Sequence, residues 1–201
     1  MYCLPLTSLI ALRERSLLKL CQASSRDGEL VCWAKLRFIH YERMVLFYST
    51  FVALKCQDPR ETPWQLLESP GDLEEIQLYG GVIRDGDMLH ALRLYKESNA
   101  GAAGVYRLEA APLRGNNTGI PIWTAFVTKY VEARDQDFFG LERNSAVVTM
   151  CCPKPVPFVF IPNYNLQMTR GGEYVLEFES RGGKFYLPFK ACFRDLADAL
   201  W

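Results

Sequence analysis

The chain has 201 residues, 49% of them hydrophobic and 23% charged, which is the balance of a globular protein able to bury a sizeable core. Its 23 basic and 23 acidic residues cancel, excluding a chain that grips nucleic acid along its whole length and an acidic disordered one. With only His40 and His90 present, a histidine-rich catalytic or metal centre is excluded as well.

Ser8 caps a predicted N-terminal helix over 7–21, where Ile10, Leu17, Leu18 and Cys21 recur near helical spacing. The polar run from Ala23 to Gly28 closes it, so residues 1–27 are predicted as an N-terminal helix and loop ahead of one α+β domain over 28–201. From Glu29 to Asp58 there is no Gly or Pro, and two readings compete. The β-branched and aromatic residues of Met44 to Val52 favour two strands, 30–39 and 44–55, turning at His40-Tyr41-Glu42-Arg43; one long helix is the alternative. Pro59, Pro63, Pro70 and Gly71 mark a connecting loop.

Three strands follow, Glu75 to Val82, Met88 to Glu97 and Val105 to Ala111, with a tight turn at Arg84-Asp85-Gly86-Asp87. Trp123, Phe126, Val127, Tyr130 and Val131 have helical spacing, predicting a middle helix over 121–133. Ala146 to Cys151 and Phe158 to Ile161 are short strands. Glu173 to Glu179 and Lys184 to Phe189 form a hairpin about Ser180-Arg181-Gly182-Gly183. Phe193, Leu196, Ala197, Leu200 and Trp201 share one stripe of a closing amphipathic helix. The predicted fold class is α+β, a mostly antiparallel sheet or partial barrel with N-terminal, middle and C-terminal helices.

The chemistry-bearing residues are sparse. Seven cysteines, at 3, 21, 32, 56, 151, 152 and 192, form no Cys-x-x-Cys and suit reduced thiols in a cytoplasmic protein. No apolar run reaches the roughly 18 residues of a transmembrane segment. There is no Gly-x-Ser-x-Gly elbow and no phosphate-cradling glycine loop, so no catalytic residue, cofactor or metal is assigned. Asp85, Asp87 and His90 gather three donors about one turn, the single place where an enzyme of unrecognised type would sit.

Val175 to Ser180, the turn, Lys184 to Phe189 and the closing helix resemble the last strands and C-terminal helix of a pleckstrin-homology (PH) module, a bent antiparallel barrel plugged by a helix. The resemblance implies an interaction module. Its phosphoinositide-binding members hold Lys and Arg about the first hairpin, and Lys35, Arg37 and Arg43 occupy that neighbourhood here, with Glu42 and Met44-Val45 breaking the basic run. Tyr41 to Phe47, Trp33 and Trp123-Thr124-Ala125-Phe126 also resemble an uncharacterised filamentous-fungal protein family.

The even charge balance hides blocks: residues 1–60 hold 9 basic and 5 acidic groups, and 61–90 hold 1 and 7. The expected function is a non-enzymatic, protein-binding interaction module. Phosphoinositide binding through Lys35, Arg37 and Arg43 is the alternative, and nucleic acid is not expected as a partner.

Overall fold

The computed structural model describes residues 4–14, 16–24, 28–55, 75–97, 105–114, 120–127, 132–136, 145–151, 157–161, 164–179 and 185–200. It divides into two units, Met1–Glu75 and Ile76–Trp201, where the sequence reading placed the boundary at 27/28.

The first unit is a three-stranded antiparallel sheet, β1 (Leu9–Glu14), β2 (Leu17–Ala23) and β3 (Leu30–Arg37), followed by α1 (Tyr41–Lys55). The predicted N-terminal helix over 7–21 is therefore a correction: apart from a 3₁₀ turn at Leu6–Ser8, those residues are β1 and β2, paired from Leu9↔Gln22 to Glu14↔Leu17. Leu9, Ile10 and Ala11 are buried in succession, so both faces of β1 are covered and the apolar–polar alternation that announces a strand is missing.

The hairpin over 30–39 and 44–55 is half right. Its first strand is β3, but Tyr41–Lys55 is helical, as the long-helix alternative required only beyond residue 40. Met44, Val45, Phe51, Val52 and Ala53 are all buried, on more than one side of the helix, and this burial outweighs the strand preference of Val, Phe and Thr. Thr50 Oγ1 donates back to the Leu46 carbonyl at 2.8 Å, occupying its hydroxyl inside the helix. The buried Lys55 ammonium donates to the Leu9 carbonyl at 2.6 Å, tying the end of α1 to the start of β1.

A second buried polar group holds the unit together. The Arg13 guanidinium donates through both Nη atoms to Glu75 Oε2, at 3.3 and 3.2 Å, and lies 4.7 Å from the centre of the Tyr48 ring. Tyr41 OH donates to the other Glu75 oxygen at 3.0 Å. With both side chains of the ion pair about 5% exposed or less, each charge depends on its partner.

The second unit is an antiparallel half-barrel with a C-terminal helix. Its strands are β4 (Glu75–Asp85), β5 (Met88–Glu97), β6 (Tyr106–Pro112), β7 (Trp123–Val127), β8 (Glu132–Gln136), β9 (Ser145–Cys151), β10 (Phe158–Val159) and β11 (Tyr174–Glu179), and its helix is α2 (Tyr186–Leu200). The spatial order is β10-β7-β6-β5-β4-β11-β9-β8. Gly86, at φ 58°, supplies the left-handed residue of the β4–β5 turn.

Two further expectations are corrected. Trp123–Val127 is a strand, not the start of a helix over 121–133: all five residues are buried, and a strand covered on both faces mimics helical spacing. Lys184 to Phe189 is not a hairpin strand, because α2 begins at Tyr186; Pro188 fits there, in the first turn, whose N–H groups have no intrahelical acceptor.

Leu92, Leu94, Leu108, Leu176, Phe178 and Phe189 form the centre of the core, each fully buried or nearly so. The Phe189 ring lies 5.3 Å from Tyr79, 5.0 Å from Phe178 and 5.2 Å from Phe193, so α2 is sealed to the sheet by aromatic contacts. Gly81 makes room for this. Tyr79 lies along β4 over Gly81, where a methyl group would collide with the phenol hydroxyl, and that hydroxyl reaches the Phe185 carbonyl at 2.9 Å.

Candidate functional site

In the first unit, the three predicted ligand-binding cations do not flank a hairpin. Lys35 and Arg37 alternate along β3, and Arg43 lies in the first turn of α1; all three are exposed. Lys35 stands opposite Lys19 on β2, whose ammonium is engaged by Glu14. That ion pair raises the Lys19 pKa above its ordinary value.

Beside the cations lies a surface that the sequence did not single out. The β2–β3 register runs Leu20↔Ala34 and then Cys21↔Cys32, so Trp33 is the extra residue of a bulge with no partner in the ladder. It is 50% exposed, and Val31 and Leu30 before it are 59% and 44% exposed. Alternation alone would have buried one of these three; the bulge and the edge position of β3 leave all of them in solvent.

In the second unit, Asp85 and His90 do come together, across the β4–β5 turn, while Asp87 stays exposed in it. Tyr164, from the segment before β11, donates its hydroxyl to Asp85 and sets its ring edge-on to the imidazole, at 6.1 Å between centroids. Burial pushes the Asp85 carboxyl up and the His90 imidazole down, each shift opposed by the other residue, and a hydrogen bond from Gln167 further opposes the rise of Asp85. Among the described residues, His90 Nδ1 is buried with no hydrogen-bond partner. Asp85, His90 and Tyr164 thus form one part-buried cluster at the turn, with the Asp85 carboxylate hydrogen-bonded by Tyr164. No signal near residue 85 could have named Tyr164, which lies 79 positions away.

The other concentration of charge is paired internally. On one face of β5–β6–β7, Arg107 bonds Glu109, Arg93 reaches the same carboxylate at 3.5 Å, and the Arg107 guanidinium stacks 4.7 Å from the Tyr95 ring centre. Thr124 completes it by donating to the Leu108 carbonyl at 2.8 Å. Among the described residues, no group of three His, Cys, Asp or Glu side chains is placed to hold a metal ion.

A meander of four strands, a second set of three and a helix packed on the core is the plan of a PH domain. Comparison with protein families matches residues 76–191 and residues 1–69 to two models, each described as a PH domain found in tandem in fungal proteins. The chain belongs to this tandem-PH family. The second match begins at the boundary between the units and the first ends within the first unit, so each unit contains one PH-domain match. No curated protein and no solved structure matches the chain. In the second PH domain the first hairpin is β4–β5, and its turn, Arg84-Asp85-Gly86-Asp87, holds two acidic residues where a phosphoinositide-binding member would hold basic ones. No described helix is long and apolar enough to cross a membrane.

Proposed function

We propose that the chain is a non-enzymatic module that binds another protein through the exposed surface of β3. PH domains serve as protein- or lipid-binding interaction modules, and the observation that favours a protein here is the run Leu30, Val31 and Trp33. Three exposed apolar residues within four positions, one of them a tryptophan on a bulge, are the composition of an interface centre. The charged clusters of the second domain support the same reading from the other side, since Asp85 and Arg107 are engaged by their own neighbours.

The test is a photo-crosslinking residue at position 33 in the full chain, expressed in fungal cells. A discrete crosslinked polypeptide, lost when Val31→Asp is added, is the expected result. A chain that crosslinks only lipid contradicts it.

A second reading, phosphoinositide binding through Lys35, Arg37 and Arg43, is favoured by the exposure of all three cations. Vesicles containing phosphatidylinositol 4,5-bisphosphate would then sediment the wild-type chain and fail to sediment the Lys35→Ala, Arg37→Ala, Arg43→Ala variant.

A further inference from the structure

We propose that Cys21 and Cys32 are joined by a reversible cross-strand disulfide when the protein meets a peroxide. The register places the two residues directly opposite each other on β2 and β3, so their side chains share one face of the ladder, with the Cys32 thiol also reaching the Ala34 carbonyl at 3.5 Å. Residues directly opposite in an antiparallel pair have Cα atoms about 4.5–5.5 Å apart, within the window of roughly 4.4–6.8 Å that a disulfide spans. The bulge at Trp33 creates this pairing. Counting back from Leu20↔Ala34 without it, Cys21 would face Trp33.

The two thiols differ in the way a peroxide-driven closure needs. Cys32 is exposed and meets the oxidant; Cys21 is 3% exposed and waits behind it. Burial, and then the neighbouring Cys32, push the Cys21 thiol up, so it rests protonated and unreactive toward solvent. The Lys19 ammonium, two residues before Cys21 on β2, opposes part of that rise.

In the first step the Cys32 thiolate attacks one peroxide oxygen, the O–O bond breaks, and Cys32 becomes a sulfenic acid with release of hydroxide or alkoxide. In the second, Cys21 loses its proton and attacks the Cys32 sulfur. The S–S bond forms, the S–O bond breaks, and the sulfenic oxygen leaves as water. Two thiols are oxidised and one peroxide is reduced; a small dithiol reverses the change by exchange.

The experiment treats the full chain with hydrogen peroxide, alkylates the remaining thiols and maps tryptic peptides. Peptides 20–26 and 27–35 contain Cys21 and Cys32 and no other cysteine. The expected result is a linked pair of these peptides, two hydrogens lighter than their sum, that separates on adding dithiothreitol. In Cys32→Ser, protection of Cys21 from alkylation is expected to be about ten-fold slower or absent. The proposal is overturned if Cys32 accumulates as sulfinic acid while Cys21 stays open to alkylation. It is equally overturned if either cysteine links to a different one, or if neither reacts.

Discussion

The two PH domains contain the same motif and differ in what covers it. In each, three antiparallel strands lead into a 15-residue helix: β1–β2–β3 and α1 in the first, β8–β9–β11 and α2 in the second. In the second domain the last of these strands is paired on both sides, with β9 and with β4, and Glu177 stands opposite Arg84 across the β4 edge. Its inward residues Leu176 and Phe178 are 2% and 0% exposed. In the first, β3 pairs with β2 and is the edge of its sheet; its corresponding residues Ala34 and Leu36 are only half-buried, and Leu30, Val31 and Trp33 are open. One motif thus serves as a sealed wall in one domain and as a presented surface in the other. The difference comes from the neighbour on the last strand, since local sequence is strand-forming in both.

Substitutions can break this contrast, beginning with the largest effect. Phe178→Ala removes a fully buried ring that Phe189 packs against, and should cost about 3–5 kcal/mol in chemical denaturation, whereas Leu36→Ala at the half-buried position should cost clearly less. Equal costs would mean that β3 is as deeply packed as β11. Arg13→Ala leaves the Glu75 carboxylate buried without its guanidinium, and a loss of about 3 kcal/mol is expected in the same assay. Gly81→Ala forces the Tyr79 ring off β4 and should cost about 1–3 kcal/mol, with the Tyr79–Phe185 hydrogen bond lost as well.

A pH series addresses the Asp85–His90–Tyr164 cluster. Burial lowers the folded-state pKa of His90 below 6.5, so on acidification the unfolded chain takes up that proton first. His90 therefore contributes stability that is full above pH 6.5 and falls as the pH drops below it. Asp85, raised above 3.8, takes up its proton more readily when folded and offsets part of that fall. Urea midpoints measured between about pH 7.5 and 5.5 should decline in the wild type and decline less in His90→Phe. The smallest stability change belongs to Trp33→Ala, within about 0.5 kcal/mol in either direction, because the ring is half exposed and outside the ladder. Its effect should instead appear as lost crosslinking.

The parts of the fold legible in sequence were those with one wet face. β5 alternates buried His90, Leu92 and Leu94 with half-buried Ala91, Arg93 and Tyr95, and its strand and its turn at Arg84 to Asp87 lie where patterning predicts them. The closing helix is where predicted from Phe193 onward but begins earlier, at Tyr186. The elements misassigned were covered on several sides. β1 and β7 have runs of buried residues, and α1 has apolar positions around its circumference, so neither the two-residue nor the 3.6-residue period is visible in them. Site residues followed the same rule. Asp85 and His90 share a local turn and were legible together, whereas the contact with Tyr164 and the facing of Cys21 and Cys32 depend on long-range packing and on a bulge. The α+β fold class and the PH-like, fungal resemblance expected from sequence agree with the family match. Of the adjacent pair Cys151-Cys152, the second lies outside the described residues.

Hydrogen–deuterium exchange on the full chain tests the central contrast most directly. Amides of β11, paired on both edges and sealed under α2, should be among the slowest to exchange, and those of β3 from Leu30 to Trp33 should exchange markedly faster. Protection of β3 equal to that of β11 in the isolated protein would contradict the account, because the surface assigned to a partner would already be covered.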